Sequence, residues 1–355
     1  MHTDKPWDAE QVRDRVGKRI NEFLAARRVQ MDDISPDVGS IVEPVADFMA
    51  GGKRLRAMFL YWGWRAAGGS DDEAVISAAA AMEFLQACAL VHDDVMDNSD
   101  SRRGRPAMHR QFRDLHETAE WAGDPANFGS AAAILIGDLC LSWADEMLLS
   151  CGMDAPALLR GKPVYDVMRT ELMAGQYLDI LEQARSNDQV EPALQVARFK
   201  SAKYTIERPL HLGAALAGGD PTVTAALREY GLDLGIAFQL RDDLLGVYGD
   251  PRETGKPSGD DLREGKRTVL IALALQGLPP SQADELSRGL DTESTPEHVA
   301  HLRELVDTTD ARHQVEDMIA QYAEAARTAL AEPMLAPEAV TVLDALIDAA
   351  TRRVT

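Results

Sequence analysis

The chain has 355 residues, 45% hydrophobic and only 6% aromatic, with 58 acidic against 37 basic side chains and a formal charge of -21. So acidic a chain is unsuited to broad binding of the nucleic-acid phosphate backbone, and a local knot of Lys and Arg within it marks a place for an anion. Abundant Ala, Leu, Glu, Arg and Met, with no alternating strand pattern, predict an almost all-helical protein.

The amino terminus, MHTDKPWDAEQVRDRV, is polar and lacks an apolar signal core, and no later stretch approaches about 18 uninterrupted apolar residues. A soluble, cytoplasmic chain is expected. The first helical pattern is EQVRDRVGKRINEFLAARR, and after it comes GGKRLR, Gly51 to Arg56. If a helix starts after the glycines, Lys53 and Arg56 share a face. Cations oppose the dipole at a helix start, so a bound anion explains them better than a charged helix end does.

Beyond Gly68-Gly69, EAVISAAAAMEFLQACALVHDD is apolar on nearly every side, as a central bundle helix would be. It ends in HDDVMDNSDSRRGRP, His92 to Pro106. Asp93 and Asp97 are four apart and share a helical face, while Asp94 is rotated by about 100°. Three close carboxylates repel one another, and a hard cation such as Mg2+ removes the repulsion. Taken alone, the pattern reads as easily as a solvated helix end, and His92 as a satisfied core group rather than a metal ligand.

Gly129 to Ser150 and Leu232 to Val247 are similarly apolar and are expected to surround the same interior. Breakers at Gly123-Asp124-Pro125, Gly161-Lys162-Pro163, Gly218-Gly219-Asp220-Pro221 and around Gly249 to Gly265 punctuate the series. None is long enough for an interdomain linker, so one domain spanning residues 1–355 is expected. Cys88, Cys140 and Cys151 lack paired metal spacing and read as reduced core thiols.

A second acidic pair, Asp242 and Asp243, closes another apolar run in FQLRDDLLGVYGD, so two acidic helix ends are expected to face each other. The Gly-rich segment after it carries Lys256 and Lys266 and can bring ammonium groups close to an anion. Two acidic sites and two basic sites suit a reaction between two phosphorylated substrates.

In order and spacing, GGKRLR, QACALVHDDVMDNSDSRRGRP, FKSA, FQLRDD and TGKPSGDDLREGKRT resemble the motifs of the trans-isoprenyl diphosphate synthases, over roughly Val45 to Ala272. The resemblance implies an all-α bundle of mostly antiparallel helices around a central cavity, assembled as a homodimer. It implies condensation of isopentenyl diphosphate with dimethylallyl, geranyl or farnesyl diphosphate, with about three Mg2+ ions when substrate is bound. By the same resemblance Asp93, Asp97 and Asp242 bind metal, with Asp94 and Asp243 in support. Arg102, Lys200, Lys256 and Lys266 fall to the allylic diphosphate, and Lys53, Arg56, Gln86 and Arg103 to isopentenyl diphosphate. Ser201, Gln239 and the Lys200 carbonyl fall to the allylic cation. Arg352 and Arg353 match basic tails that close over the isopentenyl site in some relatives, although a solvated end is the plainer reading.

Gly246 stands where many members have a third aspartate, which weakens the expected second metal site, and Asp250 lies further along as a candidate substitute. Ser201 in place of Thr keeps the hydroxyl. In the family that the chain resembles, product length is set by bulky residues just before the first acidic motif, which form the floor under the growing chain. Cys88 and Ala89 are small, and the next large groups, Phe84 and Leu85, lie about one turn of 5.4 Å deeper. A floor at Phe84 gives C20 geranylgeranyl diphosphate, with C15 and longer chains as alternatives. A terpene cyclase has no use for Lys53, Arg56 and Arg103, and an inactive regulatory subunit would have eroded acids.

Overall fold

The computed structural model describes residues 11–185, 188–250, 258–292 and 295–352. Its helices are α1 (Val12–Asp32), α2 (Pro36–Gly39), α3 (Val42–Met49), α4 (Leu55–Ala66), α5 (Glu73–Met96), α6 (Met108–Thr118), α7 (Pro125–Leu149) and α8 (Ala155–Arg185). Then α9 (Val190–Val196) runs through a π-helical segment (Ala197–Glu207) into α10 (Arg208–Ala217), followed by α11 (Pro221–Tyr248). The rest is α12 (Asp260–Arg263), α13 (Val269–Gly277), α14 (Pro280–Leu290), α15 (Pro296–Asp307), α16 (Ala311–Ala329) and α17 (Pro337–Thr351). Among the described residues the only strand pairing joins Ser101–Arg102 to Arg105–Pro106.

Local chemistry sets the starts of the long helices. Asp72, Asp124 and Asp220 each accept a hydrogen bond from the backbone N–H two residues on, satisfying donors that α5, α7 and α11 leave open. The Asp-Pro pairs that read as breakers are therefore a cap followed by a first-turn proline. Gly161-Lys162-Pro163 is the exception, because α8 continues straight through it. Pro163 faces solvent, while Gly161 fits against Leu212 and Leu216 of α10 and Tyr165 and Met168 are buried. That packing outweighs the missing backbone donor.

The apolar interior forms two clusters, and α11 contributes to both. Helix α5 is buried continuously from Val75 to Leu85. It is long and apolar enough to cross a membrane, but 78% of its most apolar window is buried inside the fold, as a core helix would be. Helix α7 was expected to be equally central and is not. Ile134, Leu135 and Leu149 face outward, and so do Leu159, Val167, Met173, Tyr177 and Ile180 of α8. One side of α7 packs on α5 and α6, and its other apolar side is uncovered.

Candidate active site

Helices α5, α8 and α11, the π-helical segment and the turns before α4 and around α12 enclose a cavity of about 750 Å3. The sequence-predicted residues Lys53, Arg56, Gln86, Ala89, Asp93, Arg102, Arg103, Lys200, Ser201, Gln239, Asp242, Asp243 and Lys266 all line it. Lys256 and Arg353 lie outside the described residues.

The carboxylates of the first motif do not simply repel one another, as the sequence suggested. Asp93 Oδ1 accepts hydrogen bonds from Lys200 Nζ and Gln176 Nε2, both at 3.0 Å, and Lys200 also reaches Asp179 Oδ2 at 2.5 Å. Asp94 is fully buried, and its Oδ1 receives Arg102 Nε at 2.8 Å and Nη2 at 2.5 Å. Burial works against the Asp93 carboxylate, but Lys200, Lys266 and Arg102 overcome it and hold its pKa well below the usual range. Asp97, the C-cap of α5, is different. Burial and the charge of Asp93 push its carboxyl up to about 6, with Lys266 and Lys200 opposing in part. Its Oδ2 is buried and has no hydrogen-bond partner.

The second pair sits within α11 rather than at its end, because the buried Leu244 and Val247 carry the helix on to Tyr248. Asp242 is exposed to the cavity. Asp243 turns inward, where Gln239 Nε2 donates to its Oδ1 at 2.7 Å. Burial and the nearby Asp261 raise the Asp243 pKa well above the usual range, despite the Gln239 bond. Lys266 Nζ lies 2.6 Å from Glu264 Oε2, 3.6 Å from Asp261 Oδ1 and 3.8 Å from Asp97 Oδ2. Burial disfavours its charge, but Asp261, Glu264, Asp97 and Asp93 together raise its pKa. Glu264 also accepts from Ser99 Oγ at 3.2 Å, tying the turn after the first motif to the loop after the second.

Across the cavity, Lys53 and Arg56 do not share a helical face. Gly51, Gly52 and Arg54 have φ of 76°, 85° and 53°, so the chain turns sharply and α4 begins only at Leu55. Arg56 stacks on the Tyr204 ring at 4.4 Å and donates to Thr205 Oγ1 at 2.7 Å. Arg54 is buried in an ion pair with Glu83, 3.0 Å long. The adjacent arginines diverge because Arg103 and Gly104, with φ of 56° and 74°, form the two-residue turn of a small hairpin. Arg102 is thereby sent to the acids, and Arg103 to the Phe48 carbonyl at 3.1 Å.

In the π-helical segment i→i+5 bonding widens each turn, and adjacent pairs face the cavity: Ala197 with Val196 at the end of α9, Lys200 and Ser201, and Tyr204 and Thr205. Neighbouring helices approach it through glycine. A Cβ at Gly175 would lie 2.4 Å from the Lys200 nitrogen, and one at Gly235 would lie 2.6 Å from the Ala202 Cα.

Of the four residues expected to set product length, only Ala89 is on the wall. Phe84 points the other way, into an aromatic cluster with Phe23 and Trp143, at 5.2 and 6.1 Å between ring centres. Leu85, Cys88 and Phe84 are buried and do not line this cavity. His92 Nε2 lies 3.0 Å from the Ile134 carbonyl, in a satisfied position. Asp250 is not on the wall, and exposed Arg352 pairs with Asp348 at 3.4 Å. Sequence reasoning missed Gln176, Asp179, Glu83, Tyr204, Asp261 and Glu264. Two advance signals existed: the three-residue spacing of Gln176 and Asp179 on one helical face, and the place of Asp261 and Glu264 inside the motif TGKPSGDDLREGKRT.

The polyprenyl synthetase family model matches residues 39–309. A geranylfarnesyl diphosphate synthase of Aeropyrum pernix is 31% identical over 310 residues, covering 86% of this chain and 91% of that protein. A (2E,6E)-farnesyl diphosphate synthase of Mycobacterium tuberculosis is 36% identical over 220 residues, 62% of this chain and 56% of that one. Among solved structures, a geranylgeranyl pyrophosphate synthase of Corynebacterium glutamicum complexed with isoprenyl diphosphate and magnesium has a TM-score of 0.92 at 43% identity. That match covers 99% of this chain and 100% of the other. Most of the chain thus fits one family by sequence and nearly all of it by fold: it belongs to the polyprenyl synthetase family and is a trans-prenyltransferase.

Proposed function

We propose that this enzyme condenses isopentenyl diphosphate head-to-tail with an allylic diphosphate, with Mg2+, and that its product is C20 geranylgeranyl diphosphate. The carrying observation is one cavity with an acidic wall at Asp93 and Asp242 and a separate basic wall at Lys53, Arg56 and Arg103. The donor set fits Mg2+. Asp93, Asp97 and Asp242 offer hard oxygens, and the buried Asp97 Oδ2 has no hydrogen-bond partner, with Lys266 Nζ 3.8 Å away. Among the described residues no three side chains form a ready protein cage for a metal, and Mg2+ ordinarily completes its shell with water and substrate phosphate.

Bound there, Mg2+ would neutralise the charge that develops on the departing diphosphate. Arg102, Lys200 and Lys266 add fixed positive charge on the same side. Lys53, Arg56 and Arg103 hold the second diphosphate. The Gln239 amide nitrogen is committed to Asp243, which leaves its carbonyl oxygen available to a carbocation, beside the Ser201 hydroxyl and the Lys200 carbonyl. The uncovered apolar sides of α7 and α8 support a homodimer, and three free buried cysteines suit the cytoplasm.

Small Ala89 on the wall leaves room for a chain longer than C15 and supports the C20 product. The test is product chromatography with isopentenyl diphosphate and each of dimethylallyl, geranyl and farnesyl diphosphate. The wild type should stop at C20, and Ala89→Phe should shorten the product toward C15. An unchanged length in that variant would refute the placement of the growing chain. Hydrocarbon release without isopentenyl consumption would indicate a cyclase instead.

A further inference from the structure

We infer that Glu171 is a positioning residue for isopentenyl diphosphate: by bridging Lys203 and Arg208 it holds the π-helical turns that set Tyr204 and Thr205 against Arg56. The inference rests on the isopentenyl role of Arg56 proposed above. None of Glu171, Lys203, Glu207 and Arg208 lines the cavity, so they reach the reaction only through other groups.

Glu171 stands on α8 and takes two parallel bonds from Arg208, Nε to Oε2 at 2.6 Å and Nη2 to Oε1 at 2.8 Å. Lys203 Nζ donates to the same Oε1 at 3.2 Å and lies 3.3 Å from Oε2 of the buried Glu207. Two carboxylates thus face two cations, and loss of one member leaves another poorly compensated. Burial disfavours charge on Glu171, but Arg208 and Lys203 hold its pKa below the ordinary carboxylate value. The Arg208 N–H also donates to the Lys203 carbonyl, closing an i→i+5 turn. Residues five apart on an α-helix diverge by about 140° around the axis. The wider turn brings these two toward one face, where a single carboxylate meets both. Close approach from α11 leaves the segment little slack, since a Cβ at Gly231 would lie 2.6 Å from the Glu207 Cα.

The clamp brackets the seat of Arg56. Tyr204 and Thr205 lie between Lys203 and Glu207 in the chain, and Arg56 stacks on the one and donates to the other. Arg56 Nε is buried without a hydrogen-bond partner, so the guanidinium takes its orientation from those two contacts. Lys200, on the preceding turn, is held separately by Asp93 and Asp179. Loosening the clamp should therefore disturb one substrate and spare the other.

The test compares full-length wild type, Glu171→Gln, Lys203→Met, Lys203→Arg, Thr205→Val and the double variant Glu171→Gln/Thr205→Val, with Arg56→Lys as a reference. The readouts are kcat, separate KM values for isopentenyl and geranyl diphosphate, and melting temperature. Glu171→Gln and Lys203→Met should raise the isopentenyl KM about fivefold or more and leave the allylic KM within about twofold. Lys203→Arg keeps the charge and should stay near wild type. In Thr205→Val the bond that transmits the effect is already absent, so adding Glu171→Gln should change the isopentenyl KM by less than about twofold. Equal changes in both KM values, an unchanged isopentenyl KM in Glu171→Gln, or a double variant showing the full product of both single effects would each overturn the assignment. If either Glu171→Gln or Lys203→Met does not fold, the other decides. An isopentenyl KM indifferent to Arg56→Lys would overturn the basic-wall reading and this inference together. A raised isopentenyl KM in Arg56→Lys beside an unaffected Glu171→Gln would overturn this inference alone.

Discussion

Replacing Phe84 by Ala should weaken the fold and leave the product unchanged. Its ring is 0% exposed and packs edge-to-face on Phe23 and Trp143. Truncating a buried Phe costs about 3–5 kcal/mol, and two aromatic pairings worth about 0.5–1.5 kcal/mol each place this site in the upper half of that range. With a urea m-value of about 3 kcal/mol/M, a loss of about 4 kcal/mol lowers the unfolding midpoint by somewhat more than about 1 M. The cavity wall is untouched, so reverse-phase chromatography of the dephosphorylated products should show the wild-type chain length. A product longer by one isoprene unit, with an unshifted midpoint, would show that Phe84 is the floor after all.

Asp94→Ala and Asp97→Ala should part company, although both belong to one motif. The first removes the closer of two carboxylates paired with Arg102, leaving Asp93 at 3.3 Å, and should cost about 1–3 kcal/mol of stability, whereas the second removes a carboxylate whose buried oxygen has no hydrogen bond, and should abolish turnover with the fold intact. Equal unfolding midpoints in the two variants would refute this. Arg103→Ala should weaken isopentenyl diphosphate by about 1.5–3 kcal/mol and the allylic substrate little, as separate KM determinations would show. Equal losses would mean that the two anion sites are not distinct. His211 gives a pH dependence: burial, then Arg208 and Lys203, lower its pKa to about 4. The unfolded chain takes up a proton below about 6.5 that the native site refuses, so this stability is complete above that pH and lost as pH falls toward 4, by up to about 3 kcal/mol. His211→Gln should lack that part of the decline, and identical stability-versus-pH slopes for the two proteins would disprove it.

The acids and cations of the cavity were legible in the sequence because metal and diphosphate chemistry demand those residue types at short spacings, as at Asp93, Asp97, Arg102 and Arg103. Their partners were not. Gln176, Asp179 and Glu83 act across gaps between helices, which no local pattern records. Phe84 lies off the cavity wall for a reason that helical geometry already contained. Nine residues at 3.6 per turn rotate it by about 180° from Asp93, whereas Ala89 is rotated by only about 40°. Lys53 was misplaced because two glycines and Arg54 at positive φ delay the helix that the spacing presumed. For α7, apolar composition on two sides read as a central helix, and only packing showed that one of the two sides meets the core.

The π-helical stretch makes the number of residues along one wall of the cavity as consequential as their identity. Removing a single residue between Ala197 and Glu207 would let the segment relax into ordinary α-helix with better-aligned bonds. That gain in local order would swing the chain beyond the deletion by about 100°, taking either Lys200 with Ser201 or Tyr204 with Thr205 out of the cavity. The glycine contacts at Gly175 and Gly235 would then meet side chains instead of backbone. Substitutions can be absorbed one by one along this stretch, but a change of length cannot.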